Sequence, residues 1–182
     1  THGDLEFGGP GRSKYGTWAL SELEVSAQPP GSDKWEKVAM KNATADFSEP
    51  TRGLEEEWKA AFDKERRRLV GGPEFLIDGS NDTAWRADRG TGRRNTESVA
   101  VVQFAAPLAY PAGTKLKVLL RMHHSGDDNG RHNTALGCVR LSLTTAPDPQ
   151  ALPVDYAAQL ALATPEERRT PGQQERIFRA WR

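Results

Sequence analysis

Phe75-Leu-Ile-Asp-Gly-Ser-Asn-Asp-Thr-Ala-Trp85 is the stretch on which the fold turns. An apolar triplet delivers the chain into Asp78-Gly79, a polar loop follows, and Thr83 and Trp85 fall on one side of the extended segment after it. Asp78, Ser80 and Thr83 offer carboxylate, hydroxyl and carbonyl oxygens within six residues. Such hard donors suit Ca²⁺, which takes six to eight oxygens in irregular geometry. Gly79 lets the backbone turn tightly enough to gather them. The same letters also describe a plain Asp-Gly turn before a strand, with Trp85 in the core, and spacing alone favours that simpler account.

The flanking sequence is rich in strand signals. Trp18 to Ala27 predicts a first strand whose parity breaks, because Trp18 and Leu20 share one side and Leu23 and Val25 the other. A bulge near Ser21-Glu22 reconciles the two. Trp35 to Met40 leads into a second short strand. Val99 to Phe104 is almost unalternated, as in a strand covered on both faces. Lys115 to Met122 alternates cleanly and is expected to pair with Val139 to Thr145. Between those two, His123 to Asn133 carries the Asp-Asn-Gly chemistry of a hairpin loop.

Two helical regions interrupt this pattern. Leu54, Trp58, Ala61, Phe62 and Leu69 form an apolar stripe over 54–69. Acidic residues open that helix, an arginine triplet closes it, and Gly71-Gly-Pro73 stops it. Beyond Pro147-Asp-Pro149 the composition shifts, and Thr164-Pro165 and Thr170-Pro171 each set a capping Thr before a Pro suited to a first helical turn. The expectation is an all-β module over 1–149 with a helical insertion at 53–69, followed by a helical tail or linker over 150–182.

Composition narrows the function classes. The chain has 182 residues, enough for one domain with appendages, and its 17 Gly and 12 Pro fit a turn-rich fold. Lys+Arg and Asp+Glu are both 25, so no global field attracts nucleic acid or acidic membranes. No apolar run approaches the ~20 residues of a membrane span. Cys138 is the single cysteine, which precludes an internal disulfide, and no Cys-x-x-Cys-His motif exists for covalent haem. The chain starts without Met and shows no signal peptide, as an excised or processed piece does.

Chemistry-bearing residues gather in two loops. One is Arg86 to Asn95, with Arg89, Arg93 and Arg94; the other is His123 to Asn133, with His123, His124, Arg131 and His132. Together they offer a basic rim for a sulfated or uronate polysaccharide, since Arg matches those anions bidentately. Pairing of these arginines with Asp88, Glu97, Asp127 and Asp128 is an equally good account. Neighbouring His123 and His124 point to opposite faces of a strand, which disfavours a shared metal. No carboxylate pair, nucleophile elbow or phosphate loop stands out, so no enzymatic activity is expected.

The pattern Asp78-Gly79-Ser80-x-x-Thr83-x-Trp85 resembles the calcium loop of galactose-binding-like jelly rolls, among them discoidin domains and carbohydrate-binding modules. Four further segments, Gly8-Gly-Pro-Gly-Arg12, Trp18-Ala-Leu-Ser-Glu-Leu-Glu-Val25, Lys41-Asn-Ala-Thr-Ala-Asp-Phe-Ser48 and Gly137-Cys-Val-Arg-Leu-Ser-Leu-Thr-Thr145, resemble a module of large planctomycete proteins with c-type haem and unknown-function domains. The resemblance implies a jelly-roll β-sandwich in an extracytoplasmic setting, periplasmic or secreted. It also implies that Glu22, in Ser-Glu-x-x-Val, joins Asp78, Ser80 and Thr83 around a structural Ca²⁺, in a chain order permuted relative to many relatives. The expected function is non-catalytic binding of a complex or anionic polysaccharide. The alternative is a structural domain that docks neighbouring domains of a larger parent protein.

Overall fold

Alternating apolar side chains let two seven-residue segments pair along their whole length: β1 (Glu22–Gln28) lies antiparallel to Lys115–Arg121. Leu23, Val25 and Ala27 oppose Leu120, Val118 and Leu116, and all six enter the core. Glu24, Ser26 and Lys117 therefore project from the other face. A computed structural model of the chain describes residues 3–5, 9–13, 15–54, 68–90, 93–94, 96–110, 112–124, 134–151, 158 and 161–180. Among these, the remaining strands are β2 (Glu36–Lys37), β3 (Met40–Ala45), β4 (Arg52–Gly53), β5 (Leu69–Gly71), β6 (Thr83–Trp85) and β7 (Ala100–Phe104), with Lys115–Arg121 as β8.

They form three small sheets, ordered β2-β1-β8, β3-β7 and β4-β5-β6, and every pair is antiparallel except β5–β6. The fold is thus β-rich, with few helices. Side chains of β3 and β7 (Met40, Ala45, Val102 and Phe104) pack on the same clusters as those of β1 and β8, so these two sheets share the core. At one end Trp18 meets Trp85 edge-on, with ring centroids 4.7 Å apart. Such a pair adds about 0.5–1.5 kcal/mol beyond the area it buries.

The parity break before β1 has a structural cause. Leu20 exchanges backbone hydrogen bonds with Trp85, whereas the next residue, Ser21, donates its N–H to the Arg121 carbonyl. A change of partner strand, and not a bulge at Ser21-Glu22, re-aims the side chains. The described irregularity lies elsewhere, in β3, where the register shifts between Lys41 and Ala43 and Asn42 takes a φ of 47°.

Several expectations change. Val139–Thr145 is not the partner of β8; β1 pairs with β8 instead, and the whole of 138–148 is exposed and outside any described strand. Leu143 is 74 % exposed. Alternation made both segments competent for pairing, but β1 supplies a partner of equal length whose apolar positions reach the shared core. Residues 55–67 of the expected helix lie outside the described residues; Leu54 is helical, and Leu69 belongs to β5. In β7, Gln103 is buried through hydrogen bonds to Asp148 and the Pro149 carbonyl, while Val99 before it is exposed. Cover on that side comes from the chain that leaves the sheets.

Of the two capping threonines in the tail, Thr170 opens a helix, whereas Thr164 precedes only the 3-10 turn Glu166–Arg168, whose N-cap is Pro165 and which has no side-chain cap. Helix α1 (Pro171–Ala180) starts with a reciprocal box: the Gln173 N–H bonds to Thr170 Oγ1, and the Thr170 N–H to Gln173 Oε1. Among the described residues, no helix is long and apolar enough to cross a membrane.

Exposure of the 138–148 segment sets an expectation for stability. Leu141→Lys should leave the unfolding free energy within about 0.5 kcal/mol of the parent, as for a surface site. Leu76→Ala, at a side chain 2 % exposed, should cost about 2–5 kcal/mol. Comparable losses for both, measured by urea unfolding, would return 139–145 to the core.

Candidate functional site

The chain enters the Asp78 loop through a 3-10 turn, Pro73–Leu76, that anchors Leu76 in the core. Gly79 adopts a φ of 79° with open space where a side chain would project, so the turn selects glycine for its backbone and not for room. Asp78 then organises the loop with both oxygens: Oδ1 accepts the Ser80 N–H at 2.9 Å and Oδ2 accepts the Thr83 hydroxyl at 2.7 Å. The Thr83 hydroxyl also lies 3.3 Å from the Ser80 carbonyl oxygen. After Thr83, Trp85 turns into the core and donates its indole N–H to the Phe47 carbonyl at 3.1 Å.

Glu22 arrives from the start of β1. Its Oε1 accepts the Gly79 N–H at 2.6 Å, across 57 residues of sequence. The residue is 6 % exposed. Burial pushes its carboxyl up from the ordinary 4.5 to about 7, a hydrogen bond with the Asp78 carboxyl pushes the same way, and the N–H groups of Gly79 and Ser80 offset only part. Two carboxyls thus stand side by side, one with a tendency to keep a proton at neutral pH. The four residues expected around a cation, Glu22, Asp78, Ser80 and Thr83, are brought together.

The donors are two carboxyls, a hydroxyl and a carbonyl. Among the described residues no cluster of three or more His, Cys, Asp or Glu side chains is found. An all-oxygen set of this kind suits a hard cation and not a transition metal.

The arginine loop is largely committed to internal pairs. Arg86 is buried and sits between Glu49 (3.0 Å) and Asp88 (3.0 Å). Glu49 also holds Arg52, and Asp88 holds Arg94 at 2.9 Å. Arg89 reaches Asp46 at 2.9 Å and lies over the Phe47 ring, 4.5 Å from its centroid. Burial would raise the Asp88 carboxyl, but hydrogen bonds from Arg94 and the Gly90 N–H, with the charge of Arg86, bring it below its ordinary value. At Asp46 burial prevails over the Val99 N–H and Arg89, and the carboxyl is raised. Arg89 and Arg94 are thus engaged with carboxylates, while Arg93 is exposed. Neither the buried position of Arg86 nor the part of Glu49 was visible in the sequence, because both depend on partners nearly forty residues away.

His124 is not at a loop tip. It is 2 % exposed, with Nε2 2.9 Å from the Leu69 carbonyl oxygen and Nδ1 3.2 Å from the Ser21 hydroxyl. The carbonyl requires the proton on Nε2, so the ring staples β5 to the start of β1. Ser21 is buried too and accepts the His123 N–H at 3.0 Å, so this Ser–His pair is a structural contact. His123 is half-buried. Arg131 and His132 lie outside the described residues.

In comparison with known proteins, the chain matches no family model, no curated protein and no solved structure.

The Glu22–Asp78 pair makes stability depend on pH. The folded Glu22 carboxyl keeps its proton up to about pH 7, while the unfolded one releases it near 4.5, so the native state binds the extra proton between those values. Stability from this group is present below that window and falls as pH rises through it. In chelator, the parent should lose more thermal stability across this window than Glu22→Gln does. Parallel pH profiles for the two proteins would contradict the arrangement.

Proposed function

We propose that this chain is a non-catalytic carbohydrate-binding module of the galactose-binding-like jelly-roll class, stabilised by calcium. The observation that carries the reading is the meeting of Glu22 with the Asp78–Thr83 loop, a contact no plain Asp-Gly turn requires. Glu22, Asp78 and Thr83 would hold the ion through side-chain oxygens and Ser80 through its carbonyl. The ion would supply positive charge to two adjacent carboxyls, of which Glu22 is raised to about 7, so uptake would favour the ionised Glu22 and strengthen with pH. Two sheets around one core, with a cation loop at the edge, give the rigid scaffold on which loops and faces present polar groups to a sugar. An extracytoplasmic setting, where calcium is abundant, fits this role.

The alternative, a docking domain for neighbouring parts of a larger protein, draws on a different feature. Val139, Leu141 and Leu143 expose an alternating apolar strip. A module of that kind would show no affinity for glycans.

Calcium should raise the melting temperature of the parent, by about 2.7 kcal/mol in stability at a hundredfold excess over its Kd. Asp78→Ala should fold, melt lower and gain nothing from calcium. An unchanged midpoint for Asp78→Ala at saturating calcium would remove the site.

Affinity electrophoresis against neutral, uronate and sulfated polysaccharides, with calcium and with chelator, tests the binding function. Retardation that chelation weakens is the expected result. Normal migration of the folded protein in every gel would favour the docking alternative.

A further inference from the structure

The inward face of β1 is spent on the core, but its outward face carries chemistry that the cation loop does not use. Ser26 is paired with Lys37 of β2 on one side and with Lys117 of β8 on the other. All three project outward, because their neighbours Val25, Ala27, Leu116 and Val118 project inward. Trp35, two residues before Lys37, joins the same face: the Lys117 ammonium lies 4.9 Å from its ring centroid, reaching across the small Ser26 side chain. Trp35 is 42 % exposed, whereas the other described tryptophans, Trp18 and Trp85, are buried.

Resting on the carbohydrate-binding reading, we propose that the outward face of the β2-β1-β8 sheet, with Trp35 as platform and Lys37 and Lys117 as anion contacts, binds a uronate-containing polysaccharide. An indole presents a broad, stiff apolar surface at low entropic cost, which suits the apolar face of a pyranose ring. The charge of the face selects the class of sugar. Arg121 is paired with Glu24 at 2.6 Å, and its hydrogen bond lowers the Glu24 carboxyl from its ordinary value. Glu36 alternates to the other side of its strand. Lys37, whose charge also acts on Glu24, and Lys115 share this face with Lys117 by register, and together they leave it net positive on a neutral chain. A carboxylate at the rim of a stacked uronate meets an ammonium there. Lys117 already rests on the ring by a cation–π contact, which at an exposed site is weak enough to be exchanged for that carboxylate.

Continuity with the cation loop extends the surface. Lys37 also lines a recess of about 310 Å³ between β1 and residues 38–40, and the recess runs on to Glu22 and Gly79. A chain of sugars seated on Trp35 is thereby led toward the calcium loop, so chelation weakens binding without removing the platform.

The test is titration calorimetry with polygalacturonate fragments, chondroitin sulfate and a neutral glucan, in calcium, on the full chain. Trp35→Ala should bind polygalacturonate about tenfold more weakly with its melting temperature unchanged, and Trp35→Phe should recover part of the loss. Lys37→Ala and Lys117→Ala should each lose about threefold, and the loss should shrink as ionic strength rises. Arg93→Ala, on the exposed arginine loop, should bind as the parent does. Full affinity in folded Trp35→Ala, or a loss confined to Arg93→Ala, would overturn this face while leaving the module a carbohydrate binder. Preference for chondroitin sulfate over polygalacturonate would overturn the ligand class. If the parent binds none of the three, the carbohydrate-binding reading falls and this face falls with it.

Discussion

Leu20 and Trp85 exchange two backbone hydrogen bonds, of 3.0 and 2.9 Å, and the rest of the molecule is registered on that bridge. The two chains run antiparallel there, so a step of two residues beyond Leu20 and two before Trp85 carries Glu22 toward Thr83. Trp18 and Trp85, edge to face in the core, keep the bridge dry. Immediately past it the chain hands over to β8 through the Ser21 N–H and the Arg121 carbonyl. A single residue thus separates the strand that fixes the Asp78 loop from the strand that builds the main sheet. His124, bonded to both Ser21 and Leu69, locks that hand-over from behind.

A second constraint is electrical. Glu49, Arg86 and Asp88 are all largely buried, and each is tolerable only because the others are present. Removal of one partner from such a group costs about 3–5 kcal/mol, since the remaining charge is left without compensation. The Asp88 N–H also bonds to Glu49 Oε1, which ties the segment before β4 to the chain after β6. The arginines here spend their charge on holding the fold, and this removes most of the basic rim that a list of residues suggests.

β1 divides the labour between its two faces. Inward, Leu23, Val25 and Ala27 complete the core; outward, Glu22 reaches the Asp78 loop, Glu24 neutralises Arg121, and Ser26 leaves room for Trp35 and Lys117 to meet. The proposed calcium loop and the proposed sugar-binding face therefore share one strand. Any shift in its register would exchange the two faces and disable both.

What the sequence by itself determined is local. Alternation marked β8 and the body of β1, and a continuous apolar run marked β7; Thr170 and Pro171 set the start of α1; and Asp78-Gly79 with Thr83 specified a loop whose oxygens turn inward, because hydrogen bonds spanning two to five residues leave little else for these side chains to do. The choice of Glu22 as the distant partner rested on resemblance, and the structure brings it to that loop. What only tertiary structure decided is everything that depends on which segments meet. Val139–Thr145 alternates as well as β1 does, yet it stays exposed, whereas β1 pairs with β8 over seven residues and places its apolar side chains in the core. His124 read as a loop residue and Ser21 as part of a strand bulge, and both lie buried, since their neighbours in space are Leu69 and each other. Arg86, Arg89 and Arg94 read as a binding rim, but carboxylates from distant segments and from their own loop claim them. Periodicity records how a segment is competent to pack; only competition among all segments for one core fixes which of them does.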